Sequence, residues 1–341
     1  MEKKDLVYQT KGPGMKRKTL KKIAFYLMHS LGFILLYFVV RKLDFVLLRE
    51  NLLQFRTWKI FLGLLILVGV YLIKSYRWYL INRAFGVKSR YGTLLVFYFA
   101  SGFLSVITPG RLGEFAKIWF LNRKYQTGIT VASSSVLLDR IWDVLVLSLM
   151  AGISMALLIS RFQIDWFTVA LIILIFVFAL GVILLPGMLF RPVLALTRKR
   201  RIHSDVRQVY EVWKRNRFRF LLPGFITSLI AFGLLALMPF LFSVDLDAGI
   251  PYASSVTAVS ISNILSFLPI TIAGFGTREL VFTQVWAIHS HPAVSAIAIS
   301  TIYFVVTYLG SLFIGGIIYL VWIRKFYSIQ EIRNHEAAHI S

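Results

Sequence analysis

Long runs of apolar residues recur along the chain, separated by short polar segments. The runs cover residues 23–40, 58–81, 91–108, 130–157, 165–187, 220–243, 251–272 and 294–323. A helix of about 20 apolar residues is long enough to cross a hydrocarbon core of about 30 Å. The pattern therefore predicts an all-α polytopic membrane protein, in which up to eight spans could be counted.

Two shorter helical pieces follow the third and the seventh apolar runs. They lie near residues 111–121 and 278–289, and each follows a helix-breaking sequence. The first break is Pro109-Gly110, and the second is near Gly274 and Gly276. Non-helical backbone is tolerated at membrane depth where protein or a water-filled cavity surrounds it. Each pair therefore predicts a re-entrant hairpin made of a broken helix.

The distribution of Lys and Arg predicts the orientation of these segments. Basic residues are concentrated in the head 1–22, the loop 82–90, residues 123–124, the loop 188–219 and the start of the tail 324–341. By the positive-inside rule these segments, and both termini, are cytoplasmic, whereas the acidic loop 244–250 is outside. Residues 90 and 124 then share one side, so the hairpin between them enters and leaves from the cytoplasm. The hairpin 251–290 enters and leaves from outside.

These assignments leave about six full crossings and two hairpins, arranged as an internal repeat. Residues 23–157 and 165–323 each contain two spans, a broken hairpin and a third span. Three full crossings per half make the second copy inverted relative to the first. The turns 103–114 and 267–279 also share local sequence. Inverted repeats with paired broken helices are typical of transporters, whose substrate site lies at the repeat interface near the bilayer midplane.

The composition excludes several other classes of protein. Of 341 residues, 58% are hydrophobic and 16% are charged, below the roughly 25% charged residues of soluble domains. The chain has no cysteine, which excludes disulfides and cysteine-based metal sites. The net charge of +23 lies mainly in short segments between apolar runs, where bases meet anionic lipid headgroups. We therefore expect membrane lipids and no nucleic acid as partners.

Several ionisable residues fall inside the predicted membrane segments. An ionisable group near the bilayer centre costs at least ~2.5–3.5 kcal/mol, so it normally faces a cavity or a partner of opposite charge. The spacing of three between the first hairpin's charges places them on one helical face. The candidate binding residues are Arg111, Glu114 and Lys117 in the first hairpin, Asp139, Arg140 and Asp143 in the next span, and Gly276, Thr277, Arg278 and Glu279 in the second hairpin.

The two hairpins together predict a site for a lipid phosphate. A helix that starts at a glycine-rich break presents free backbone N–H groups and the positive end of its dipole. Arg111 and Arg278 lie at these starts, and the planar guanidinium suits bidentate phosphate contact. The nearby carboxylates would balance the arginines in the empty site or meet a cationic headgroup.

A purely structural interpretation remains open at this stage. The same charges could pair only to lock the fold, for example Arg140 with Asp143 and Arg111 with Glu114. The segment 77–79 (Arg-Trp-Tyr) lies at the end of its span, where aromatic and basic residues usually anchor a helix at the membrane interface.

One motif points elsewhere but carries little weight. Residues 335–339 match H-E-x-x-H, the two-histidine zinc site of metalloproteases. The motif lies in a polar tail with two residues after it, so neither a third ligand nor a cleft follows. We expect no metal and no cofactor.

The residues of both hairpins resemble a known family. Pro109-Gly110-Arg111-Leu112-Gly113-Glu114, then Leu138-Asp139-Arg140, and Gly274-Phe275-Gly276-Thr277-Arg278-Glu279 are similar to the lysylphosphatidylglycerol synthase transmembrane region, or flippase-like domain, over about residues 20–325. The resemblance implies an inner-membrane protein that handles lipid-linked substrates. The resemblance implies a cytoplasmic synthase domain in full-length relatives, and from this sequence we expect none after the last span.

The leading hypothesis is a lipid translocase that moves a phospholipid or a polyprenyl-phosphate-linked lipid across the inner membrane. No G-x-x-x-x-G-K-[ST] sequence is present, so we expect no ATP-driven step. Two alternatives stay open. One is an integral-membrane transferase with Glu114 or Asp139 as general base. The other is a membrane anchor for a separate lipid-modifying enzyme.

Overall fold

The described part of the chain is entirely helical in its regular elements. The structure is a computed structural model that describes residues 46, 50, 53–106, 108–158, 166–196, 200–246, 249–268, 274 and 276–323. Within these ranges it contains helices and turns and no strand. The predicted head 1–22, the span 23–40 and the tail 324–341 with its H-E-x-x-H motif lie outside the described residues.

Most helices match the apolar runs to within a few residues. In chain order they are α1 (Thr57–Ala84), α2 (Tyr91–Val106), a 3-10 turn (Pro109–Phe115), α3 (Ala116–Tyr125), α4 (Ile129–Leu157), α5 (Trp166–Leu184), α6 (Gly187–Leu196), α7 (Arg200–Ser243), α8 (Tyr252–Ser266), α9 (Thr277–Ala287), α10 (Ala293–Phe304) and α11 (Gly310–Ile318). The π-helical turn Val305–Leu309 joins α10 to α11 in one continuous helix.

These helices make the chain an all-α membrane protein. Three described helices are long and apolar enough to cross a bilayer, namely Thr57–Ala84, Leu221–Leu246 and Ala293–Val321. A fourth candidate, Val169–Leu184 with Gly187–Leu196, is bent by 72° at a short break. The predicted fold class is therefore confirmed, whereas six crossings in an inverted repeat stay a prediction.

Both predicted hairpins fold back on themselves. At the ends of the first, the backbone N–H of Arg90 donates to the Tyr125 hydroxyl at 3.2 Å. At the ends of the second, Ser254 Oγ lies 2.6 Å from His289 Nε2. Close packing at the first turn requires a glycine, because a Cβ atom on Gly113 would overlap the backbone of Leu104. The chain thus enters and leaves each hairpin at one end of the molecule.

The segment 188–219, predicted as a cytoplasmic loop between two spans, is largely helical. It contains α6 and the first five turns of α7, a helix of 44 residues. Val206, Val209 and Trp213 are buried along one face of α7, and the Phe190 ring of α6 meets the Trp213 ring at 5.4 Å. The helical structure was not predicted because the high density of basic residues hides this apolar stripe. The cytoplasmic location of the segment stays a prediction.

The long helices pack in defined pairs. α1 lies along α7, α2 along α11, and α4 between α5 and α8. The start of α1 is joined to the end of α7 by Lys59 Nζ, which lies 2.7 Å from Asp245 Oδ1. The two helices are therefore antiparallel. We call the opposite end of α1, with Arg83, Arg90, Tyr125 and Trp213, the basic end of the molecule.

Candidate functional site

Seven charged side chains from three neighbouring segments meet inside the helix bundle. We call them the charged cluster. Four are cations and three are carboxylates. Six of these residues are at most 9% exposed, and Arg140 is the exception. α1 contributes Lys74 and Arg77, the first hairpin contributes Glu114 and Lys117, and α4 contributes Asp139, Arg140 and Asp143.

The two aspartates of α4 are the centres of this cluster. Asp139 accepts contacts from Arg77 Nη2 at 2.6 Å, Lys117 Nζ at 2.9 Å and Arg140 Nη2 at 3.0 Å. Asp143, one helical turn later, lies 2.8 Å from Arg77 and 2.9 Å from Lys74. Each aspartate thereby offsets several cations at once, which lowers the cost of burying them.

The first hairpin contributes Glu114 to the same network. Glu114 Oε2 lies 2.8 Å from Arg140 Nη2 and 3.4 Å from Lys117 Nζ. The predicted pair of Arg140 with Asp143 is present at 3.0 Å. The other predicted pair, Arg111 with Glu114, is absent from the described residues, because the Glu114 carboxylate pairs with Arg140 and Lys117 instead.

Arg111 differs from the other inward-facing cations that the structure describes. Its backbone is left-handed, with φ 55° and ψ 29°, and follows Gly110 with φ 58°. Its Nη2 donates to the Tyr308 hydroxyl at 3.0 Å, and within the described ranges no carboxylate lies within 4.0 Å of its guanidinium. A non-glycine residue in this conformation costs of order 1–3 kcal/mol, and such strain is often found at functional sites.

Arg111 opens onto a cavity of about 80 Å³ in the bundle. The cavity touches the charged cluster at Lys74 and Glu114. Helices from both predicted halves line it, from α1 and α2 to α7, α8 and the π-helical turn. Its other polar lining residues are Tyr71, Tyr98, Ser105, Asn263, Tyr303, Thr307, Tyr308 and Ser311. A cavity of this size and polarity can hold waters or a small oxyanion such as a phosphate group.

The second hairpin also brings a charged residue close to Tyr308. Arg278 pairs with Glu279 next to it and donates to Ser300 Oγ at 2.9 Å. Its guanidinium carbon lies 5.6 Å from the centre of the Tyr308 ring, and that of Arg111 lies 5.5 Å from the same point. The two hairpins therefore bring their arginines to one aromatic ring.

The start of α9 is capped by its own side chains. Glu279 Oε2 accepts the Gly276 backbone N–H at 2.7 Å, and the Thr277 hydroxyl donates to the Gly274 carbonyl at 3.1 Å. In the first hairpin, α3 begins only at Ala116, and the Gly113 N–H donates to Thr108 Oγ1 at 2.7 Å. The breaks thus use two of the backbone N–H groups that the sequence suggested for a ligand.

Sequence reasoning missed part of this site. Arg77 and Trp78, interpreted as interfacial anchors, are 1% and 0% exposed inside the bundle, so that interpretation was wrong for both. Lys74 carried a signal, since it is a charged residue well inside the apolar run 58–81. The positions of Tyr98 and Tyr308 gave no sequence signal of a role in the site, because tyrosines are frequent throughout the chain.

Comparisons with known proteins place the chain in one family. No curated protein matches it. The family described as "Lysylphosphatidylglycerol synthase TM region" matches residues 22–315, a range that contains both hairpins, the charged cluster and the cavity. This family connects the protein with lipid handling in a membrane. The chain belongs to the lysylphosphatidylglycerol synthase TM region family.

Proposed function

We propose that the protein is a lipid translocase that holds the phosphate of a membrane lipid in the cavity beside Arg111. The observation that carries this proposal is the environment of Arg111. Its guanidinium opens onto the cavity, its one hydrogen-bond acceptor among the described residues is the Tyr308 hydroxyl, and its nearest carboxylates serve other cations. A lipid phosphate would supply the missing negative charge through charge-assisted hydrogen bonds.

The balance of formal charge around the cavity supports an anionic group. The charged cluster holds four cations and three carboxylates, and Arg111 adds a fifth cation at the cavity wall. The pair of Arg278 and Glu279 adds no net charge. Electrostatic attraction is strong where protein excludes water, so an excess of two positive charges favours a phosphate over a neutral or cationic group.

The roles of the candidate residues follow from their contacts. We assign phosphate binding to Arg111. Glu114 and Lys74 would form part of the wall of the binding cavity. We assign to Lys117, Asp139, Arg140 and Asp143 the positioning of Glu114 and of the first hairpin. The second hairpin, with Gly276, Thr277, Arg278 and Glu279, would position Tyr308 through the contact of Arg278 with its ring.

The packing of the helices supports movement of two repeats around a central site. In the predicted repeat, α2 and α8 correspond, as do α4 and the helix formed by α10 and α11. α2 packs on α11 and α8 packs on α4, so each hairpin contacts the last span of the other half. Rocking of the halves would then expose a central phosphate to one leaflet and then the other. We further propose an inner-membrane location with cytoplasmic termini, and a separate lipid-modifying enzyme as the supplier of substrate.

Lipid exchange between leaflets tests the proposal directly. The purified protein is reconstituted in liposomes with fluorescent phosphatidylglycerol, phosphatidylethanolamine or a polyprenyl phosphate, and a membrane-impermeant quencher reports the outer-leaflet fraction. Wild-type protein should move at least one of these lipids. Arg111→Ala should reduce the rate at least tenfold, because a charge-assisted hydrogen bond contributes about 1.5–3 kcal/mol.

Two further variants make this result specific. Arg111→Lys keeps the charge but loses the guanidinium fork, so it should recover only part of the rate. Arg123→Ala removes an exposed charge at the basic end and should leave the rate unchanged. Exchange at the wild-type rate by Arg111→Ala, or no exchange of any phosphate lipid by wild-type protein, would contradict the proposal.

A further inference from the structure

We infer that α6 is an interfacial helix that binds anionic phospholipid at the surface of the membrane. This inference is independent of lipid translocation. It concerns an exposed apolar face of the helix, and the geometry of the segment identifies what covers that face.

One face of α6 packs against α7, and the opposite face is exposed. Its Phe190 is 5% exposed and packs on the rings of Trp213 and Tyr210 of α7, at 5.4 and 5.9 Å. The opposite face is apolar except for a single base, Arg191. Its exposed residues are Met188 at 49%, Val193 at 40% and Leu196 at 81%, together with Arg191, Pro192 and Ala195.

The connection to α5 places this face at the edge of a bilayer. α5 is continuous in sequence with α6 across a break of two residues, and the two axes differ by 72°. Spanning helices are tilted by about 20° on average, so a helix bent this far from one runs close to the membrane plane. An amphipathic helix in that position buries its apolar residues at the boundary between headgroups and acyl chains.

The basic residues on and after α6 favour lipids with anionic headgroups. Arg191 is exposed on α6, and the sequence directly after α6 contains Arg198, Lys199, Arg200 and Arg201 with no acidic residue before Asp205. Basic residues beside an apolar interfacial helix attract anionic headgroups. The ligand is therefore an anionic phospholipid, such as phosphatidylglycerol, whose acyl chains cover Met188, Val193 and Leu196.

Site-specific fluorescence in vesicles tests this inference, and the cysteine-free chain allows single labels. Leu196→Cys carries an NBD label, with Leu174→Cys on α5 as the deep control and Gln208→Cys on α7 as the aqueous control. Both control positions are exposed on the protein surface. Nitroxide-labelled phosphatidylglycerol or phosphatidylcholine serves as the lipid quencher, and iodide as the aqueous quencher.

The label at position 196 should be quenched more by a nitroxide near the headgroup than by one deep in the acyl chain, and only weakly by iodide. At equal mole fraction, nitroxide phosphatidylglycerol should quench it at least twofold more than nitroxide phosphatidylcholine. Arg191→Glu should at least halve that preference, whereas the remote reversal Arg123→Glu should leave it unchanged.

Three results would overturn the inference. Strong iodide quenching at position 196, equal to that at position 208, would place the face in water. Protection from both lipid and iodide would show that another segment of the chain or a second copy covers it. Equal quenching by the two lipids would exclude an anionic ligand.

Discussion

The guanidinium of Arg111 and the hydroxyl of Tyr308 are joined by a hydrogen bond of 3.0 Å across 197 positions of the chain. Arg111 lies in a left-handed turn of the first hairpin, and Tyr308 lies in a π-helical turn of the last long helix. π-helical turns are rare and frequently mark functional sites. Two irregular backbone segments from different predicted halves therefore meet at the wall of the cavity.

Tyr308→Phe should weaken the site without disturbing the fold. The substitution keeps the aromatic ring beneath both arginines and removes the acceptor of the Arg111 hydrogen bond. A hydrogen bond to a charged group contributes about 1.5–3 kcal/mol, so we expect lipid exchange to fall about tenfold. Tyr303→Phe is the matched control, because Tyr303 lines the same cavity without a hydrogen bond to Arg111. Similar losses in both variants would argue against a specific role of Tyr308.

Paired substitutions should distinguish the two arginines. Arg278 contacts Glu279 directly, so Arg278→Ala leaves a buried carboxylate without that cation and should destabilise the protein. Arg278→Ala with Glu279→Gln removes both charges and should restore thermal stability and most lipid exchange. Arg111→Ala with Glu114→Gln should stay inactive, since Glu114 serves Arg140 and Lys117. Full exchange by this second double variant would refute phosphate binding by Arg111.

The charged cluster should be a determinant of stability. Asp139→Ala leaves three cations, Arg77, Lys117 and Arg140, without one of their carboxylates, and breaking a buried pair costs about 3–5 kcal/mol. We expect a marked fall in the thermal midpoint in detergent, measured by the fluorescence of the tryptophans. The control is Asp205→Ala on the exposed surface of α7, which should change the midpoint little. An unchanged midpoint for Asp139→Ala would mean that water or lipid reaches the cluster.

Single cysteines should report which ends of the molecule share a side of the membrane. Arg90→Cys and Lys124→Cys should react from one side, because residues 90 and 125 are in contact. Asp205→Cys should react from that same side, and Gly249→Cys from the opposite one. Impermeant maleimide applied to oriented vesicles gives the measurement. Reaction of positions 90 and 124 from opposite sides would disprove the re-entrant first hairpin.

Much of the architecture follows from local sequence. A run of apolar residues long enough to cross a bilayer forms a helix wherever its backbone groups have no water to bond, so composition alone predicts α1, α4 and α5. Pro109-Gly110 and the glycines at 274 and 276 likewise predict breaks in the helices. Gly110, Gly274 and Gly276 have positive φ angles, which glycine adopts more readily than other residues. The cost of burying a charge also identified Asp139, Arg140 and Asp143 as residues that require partners.

Other features depended on contacts between distant segments. The first turns of α7 are helical because their buried stripe packs against α6 and the residue after α1, a relation that the basic composition of the segment conceals. Arg77 could be an interfacial anchor or a buried partner of Asp139, and its sequence position is the same in both cases. The sequence by itself determined that the chain is helical, crosses a membrane and carries buried charge. Only the tertiary structure decided which cation meets which carboxylate, and that Arg111 meets Tyr308 instead of Glu114, because ion pairing depends on distances of a few ångströms between segments that sequence periodicity does not relate.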